Sequence, residues 1–155
     1  MIAFRRILYP TDCSDSSRPA LEHALLLADK FGAQIEVLHV WHVAYHVRPD
    51  LTVWMGARGE RPLLDVLEAD AKTHTEEFLA SLAEEVRRGL SVRVVQGDPA
   101  ATIVETARND SADLIVMGTH GRSGLEHLAL GSVAEKVVRH APCPVLTVRA
   151  SRPTS

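Results

Sequence analysis

Short apolar runs alternate with helix-length amphipathic stretches five times along this chain, and that alternation constrains the fold more than any other feature. Ile7-Leu8-Tyr9 reads as a first strand, stopped at Pro10. Ser14 to Ser17 supply N-cap candidates, Pro19 suits a first helical turn, and Leu21, Ala24, Leu25 and Ala28 share one helical face up to Gly32. Ile35 to Trp41 is the second strand. A long helix is expected from Pro62 to Arg88, with Leu64, Leu67, Ala71, Phe78 and Leu82 on its apolar stripe. Val92, Val94 and Val95 mark the third strand. Asp98 caps and Pro99 opens a helix carrying Ala100, Ile103, Val104 and Ala107. Leu114-Ile115-Val116-Met117 is uninterruptedly apolar, as a strand buried on both faces of a parallel sheet must be. Val133, Val137 and Val138 place a last helix before Pro142, and Val145-Leu146-Thr147-Val148 is the fifth strand.

Right-handed crossovers turn this order into an open, doubly wound parallel sheet with helices on both faces. Such sheets bind ligands beyond the C-terminal strand ends, where the strand order reverses. The connection from His42 to Arg61 is long for a structureless loop. It reads as a lid, a dimer contact or a mobile insertion.

Composition narrows the function classes. Lys+Arg number 17 and Asp+Glu 20, a formal net charge of −3, which argues against a nucleic-acid neutraliser. Aromatic residues are 5%, too few for a stacking platform. No apolar run approaches the ~20 residues of a membrane span. The N-terminal residues carry no signal-peptide pattern, and Cys13 and Cys143 are too few for a disulfide framework. A cytoplasmic protein is the expectation, with neither nucleic acid nor membrane among its partners.

The strongest chemical signal follows the fourth strand. Gly118-Thr119-His120-Gly121 opens a stretch running through Arg122, Ser123 and Gly124 to Gly131-Ser132, where the last helix begins. Glycines let backbone N–H groups approach a phosphate, and a helix N-terminus adds unpaired donors and partial positive charge. The plainer reading is a glycine-rich turn with Ser132 as an ordinary N-cap. Two better-known phosphate loops are absent. Gly131 is followed by Ser132-Val133 rather than Lys, and the turn Tyr9-Pro10-Thr11-Asp12 has no Gly. His39, His42 and His46 have metal-like spacing but no Cys or carboxylate cluster joins them, so zinc is not favoured. His127 and His140 read as helix-surface residues, and Cys13 as a small turn filler.

Gly118-x2-Gly121-x9-Gly131-Ser132 resembles the nucleotide-binding signature of the universal stress protein family. Ile7 to Ser14, Gly97-Asp98-Pro99, Asp113 to Gly118 and Pro142-Cys143-Pro144-Val145 are similar to other recurrent stretches of that family. The resemblance implies one domain over residues 1–149, with a variable loop at 42–61 and a tail at 150–155. It implies a Rossmann-like, adenine nucleotide alpha hydrolase-like sheet of five parallel strands in the order 3-2-1-4-5. It also implies ATP, or ADP or AMP, as ligand. Val40 backbone groups would read the adenine edge. Pro10, Thr11 and Asp12 would line the ribose and phosphate side, with Asp12 the candidate to help hold Mg2+. Met117 and Gly118 would lie against the ribose, and His120, Gly121, Arg122, Gly131, Ser132 and Val133 would surround the phosphates. The fifth strand, Val145, Leu146, Thr147 and Val148, would pair with a second copy in a homodimer.

The leading expectation is an ATP-binding regulatory module of the stress response, acting on a downstream protein. The alternatives are a slow ATPase, and a phospho-acceptor or flavin domain of the same architecture. The ATPase reading lacks an evident general base, and the phospho-acceptor reading lacks a late Lys between Val145 and Arg149.

Overall fold

The computed structural model describes residues 3–44, 47–120 and 130–150. Its elements in chain order are β1 (Arg6–Thr11), α1 (Arg18–Phe31), β2 (Gln34–Trp41), β3 (Thr52–Trp54), β4 (Glu60–Pro62) and α2 (Leu63–Leu79). They continue with α3 (Glu84–Arg88), β5 (Leu90–Gln96), α4 (Pro99–Asn109), β6 (Leu114–Gly118), α5 (Ser132–His140) and β7 (Val145–Val148). Five strands form one parallel sheet in the order β5-β2-β1-β6-β7. Counted without the β3–β4 hairpin this is 3-2-1-4-5, the order that the resemblance implied. Among the described residues, no helix is long and apolar enough to cross a membrane.

Side-chain alternation along each strand divides the core into two layers. Ile7, Tyr9, Ile35, Val37, Leu114 and Val116 pack beneath α1 and α2. Leu8, Leu38, Ile115 and Met117 pack on the other face against Ala100, Ile103 and Ala107 of α4 and Ala134 and Val137 of α5. Gly32 closes α1 in the left-handed region at φ +64°, where a side chain is strained.

Two local expectations are corrected. The first strand does not stop at Pro10 but runs through it to Thr11. Arg5 O accepts from Gln34 N and Arg6 O accepts from Asp113 N, so odd residues of β1 face β2 and even ones face β6. The N–H that Pro10 lacks therefore falls on the β6 side, where the β1–β6 ladder has already ended at Leu8–Ile115. Pro10 sits where the two strands part.

The helix expected over Pro62 to Arg88 is broken into α2 and α3 between Ala80 and Ala83. Arg18 of α1 reaches across to donate to the Phe78 carbonyl at 3.3 Å and the Ser81 hydroxyl at 2.9 Å, with its guanidinium 4.4 Å from the Phe78 ring centroid. Leu82 N turns to the Leu79 carbonyl instead, at 3.0 Å, and the helix tightens and ends. The 42–61 connection contains the antiparallel hairpin β3–β4, turned by a 3-10 segment at Gly56–Arg58 with Gly56 and Gly59 at positive φ. Trp54 on this hairpin is 75% exposed.

Candidate functional site

A crevice of about 430 Å³ opens at the C-terminal ends of β1, β2 and β6, between the first turns of α4 and α5. It lies at the point where the chain stops adding strands on one side of β1 and starts on the other, the expected ligand position for a doubly wound sheet. Its volume is in the usual range for small-molecule sites. Pro10, Thr11, Asp12, Val40, Met117, Gly118, His120, Gly131, Ser132 and Val133 all line it. Gly121 and Arg122 lie outside the described residues. Sequence reasoning missed Ser17, Leu38, Trp41, Pro99, Ile103, Thr119 and Ala134 on its walls, and had His39 and His42 only as metal candidates. Pro99 and Ile103 could have been found, because Asp98-Pro99 marks a helix start at the same end of the sheet.

The turn after β1 is held from within. Ser17 Oγ donates to the Ser14 carbonyl at 2.7 Å, so in its 2.9 Å contact with Thr11 the proton belongs to Thr11 Oγ1. Thr11 Oγ1 in turn accepts the Cys13 N–H at 3.0 Å. Tyr9 Oη donates to the Ser17 carbonyl at 2.9 Å, and burial pushes that phenol above its ordinary range and keeps it a donor. The Thr11 hydroxyl is thus committed to the turn rather than directed at a ligand. This network holds Cys13 at φ +62°. Asp12 Oδ1 accepts the Ser14 N–H at 3.0 Å and the Ser14 hydroxyl at 2.5 Å.

On the floor, His39 Nδ1 lies 2.9 Å from the Thr11 carbonyl. A carbonyl only accepts, so His39 carries its proton on Nδ1. The β1–β2 register ends at Thr11–His39, which leaves Val40 one residue beyond the last pair, at the crevice edge.

The two flanking helices differ at their N-termini. Asp98 caps α4 and accepts from Ala101 N at 2.9 Å, so an anion already occupies that end. Gly131 is the N-cap of α5, in extended conformation and with no side-chain cap. Gly131, not Ser132, therefore holds the cap position. The first-turn N–H groups of Ser132, Val133 and Ala134, which no helical carbonyl can reach, border the crevice. Gly131 N donates to Thr119 O at 2.6 Å, which ties the helix start to the end of β6.

The titratable side chains among the described lining residues are Asp12, His39, His42 and His120. Among the described residues no group of three His, Cys, Asp or Glu gathers as a metal centre. A second cleft, of about 240 Å³, lies at the opposite ends of the strands. There Arg93 of β5 bridges Glu36 at 2.7 Å and Asp110 at 3.0 Å, and burial pushes the Glu36 carboxyl up against the pull of Arg93. Arg93 thereby ties β2 and β5 to the C-terminal end of α4.

Residues 3–149 match the family model described as the universal stress protein family. The chain is 38% identical over 146 residues to universal stress protein MJ0531 of Methanocaldococcus jannaschii, covering 94% of this chain and 82% of that one. It is 32% identical over 151 residues to YxiE of Bacillus subtilis, covering 94% and 99%. Among solved structures, UspA of Lactobacillus plantarum superimposes with a TM-score of 0.79 at 27% identity, over 96% of this chain and all of that one. A universal stress protein solved in complex with cAMP superimposes with a TM-score of 0.60 at 25% identity, over 97% and 100%.

Proposed function

This chain belongs to the universal stress protein family, and on that premise we propose that it is a nucleotide-dependent regulatory module that binds ATP in the crevice. The observation that carries the reading is the start of α5. It is a helix N-terminus with no side-chain cap, open to a crevice whose other wall presents the end of β2. An anion completes such a terminus, and the end of β2 at Val40 lines the same crevice.

In this reading Val40 backbone groups meet the adenine edge, while Pro10, Thr11, Asp12, Met117 and Gly118 enclose the ribose. The phosphates lie against His120, Gly131, Ser132 and Val133. Mg2+ keeps most of its ligands from water and phosphate, so Asp12 as a single protein carboxylate fits a metal that arrives with the nucleotide. ADP and AMP fit the adenine end equally well. The same reading makes the chain a homodimer through β7, one edge of the sheet.

Calorimetry with ATP on the wild-type chain and on Gly131→Val tests the site. Gly131 has φ −69°, a conformation open to any residue, so the substitution leaves the backbone unstrained. ATP binding by wild type and a loss of more than tenfold in the folded variant are expected. Undiminished ATP affinity in a folded Gly131→Val chain overturns the placement. Binding of cAMP with none of ATP moves the ligand class to cyclic mononucleotides.

A further inference from the structure

Trp41 ends β2 and lines the crevice beside Val40. Its backbone is fixed: it pairs with Gln96 of β5, and its carbonyl accepts from Gly97 N at 2.9 Å. The β1–β2 pairing stops at Thr11–His39, so Trp41 stands two residues past it, where β1 no longer flanks the strand. Alternation puts its side chain on the same face of β2 as His39, the residue on the crevice floor. The ring is half-buried, yet its Nε1–H is shut off from solvent and has no hydrogen-bond partner. An indole nitrogen only donates, so this group carries the cost of an unmade bond until an acceptor reaches it. Buried donors are paired in the great majority of cases. An unpaired one, on a residue in the wall of a ligand-sized crevice, points to the ligand as its acceptor.

We infer that Trp41 is a base-recognition residue of the crevice, whose indole N–H donates to a lone pair of the nucleobase that meets the Val40 backbone. The inference rests on the reading of the crevice as a nucleotide site. A purine offers such lone pairs on its ring nitrogens, and an N–H donor matches them. The indole brings its N–H to the base by turning about the Cβ–Cγ bond, a torsion with broad minima. No hydrogen bond of the N–H is broken by that turn. An ordinary donor gives up a bond to water or protein when it binds, which leaves a small net gain. Trp41 gives up none, so the unmade bond is recovered in full. The α5 terminus, where the phosphates are placed, stands on another element, so adenosine and ATP should depend on Trp41 alike.

Proton–nitrogen NMR reads the indole N–H groups of the two tryptophans, and Trp54→Phe, which removes the exposed hairpin indole, identifies the signal of Trp41. Adding adenosine or ATP should move the Trp41 proton downfield, as a new hydrogen bond does. Trp41→Phe removes the N–H and keeps an aromatic ring, and calorimetry should show a loss of about fivefold or more for adenosine and ATP alike. A Trp41 signal that stays in place at saturating ATP, or moves upfield as beneath a stacked ring, overturns the inference. Equal affinity of wild type and a folded Trp41→Phe overturns it as well. A loss for ATP with none for adenosine puts the donor at the phosphates and also overturns it. A wild type that binds neither adenosine nor ATP defeats the nucleotide reading and this inference together, whereas ATP bound with an unmoved indole signal defeats the inference alone.

Discussion

Replacing Thr11 with valine removes one buried hydroxyl and nothing else of size. The hydroxyl accepts the Cys13 N–H at 3.0 Å and donates to Ser17 Oγ at 2.9 Å. Thr11, Cys13 and Ser17 are all buried, so water does not replace either partner. A stranded buried donor costs about 1–3 kcal/mol, and the second lost bond about 1 kcal/mol more. The sum is about 2–4 kcal/mol. Thr11→Ser keeps both hydrogen bonds and loses one methyl group, about 1 kcal/mol. For a chain of this size each kcal/mol lowers the melting temperature by about 2–4 °C. Urea unfolding followed by circular dichroism should place Thr11→Val clearly below Thr11→Ser, with equal slopes against denaturant. Equal midpoints for the two variants would refute the claim that this hydroxyl organises the turn. Cys13 adds a further consequence: its left-handed backbone costs about 1–2 kcal/mol and persists only while the turn is held. Thr11→Val should therefore weaken ATP binding as well, through the displaced Asp12.

Two further outcomes concern the ends of the sheet. Asp113 Oδ2 accepts the Arg5 and Arg6 N–H groups at 2.8 and 2.9 Å, and those donors hold its carboxyl below the usual range. Its stabilising contribution is present above the unfolded-state value and is lost as pH falls through the lower folded one. Asp113→Ala should thus cost about 1–2 kcal/mol at pH 7, with the gap closing in acid during a pH series of urea titrations. At the far edge, Pro144 O accepts from Ile115 and Val148 O from Thr119, so alternation turns Leu146 inward to β6 and Val145 and Thr147 outward. Thr147→Pro removes an outward donor and should convert a dimer to monomer in light scattering, whereas a monomeric wild type at tens of micromolar would end the dimer reading.

The sheet was legible because its signals are local and redundant. Leu114 to Met117 is apolar without interruption, and only burial on both faces explains that, which is what the two core layers impose. Asp98-Pro99 and Gly32 punctuate their helices through chemistry carried within a few residues. The break between α2 and α3 was not legible. The stripe from Leu64 to Leu82 is unbroken in sequence, and the residue that cuts it, Arg18, stands on another helix. Pro10 was misread for the same kind of reason. A proline ends a strand only if its missing N–H faces a partner, and which side it faces depends on the register with β6.

The site divides along the same line. Backbone features such as Gly131 at a helix start follow from spacing, and the site residues that the resemblance implied line one crevice, Gly121 and Arg122 lying outside the described residues. What each side chain does there depends on where single protons go, which spacing does not encode. Thr11 and Thr119 are both threonines at the C-terminal ends of neighbouring strands, and both are buried. The proton of Thr11 runs to Ser17 and is spent on the fold, because Ser17 gives its own to Ser14. The proton of Thr119 has a ring nitrogen of a crevice residue within 2.8 Å. One hydroxyl therefore holds the turn beside the crevice, and the other reaches a residue on its wall. Valine at position 11 should therefore act chiefly on stability, read as the urea midpoint against Thr11→Ser.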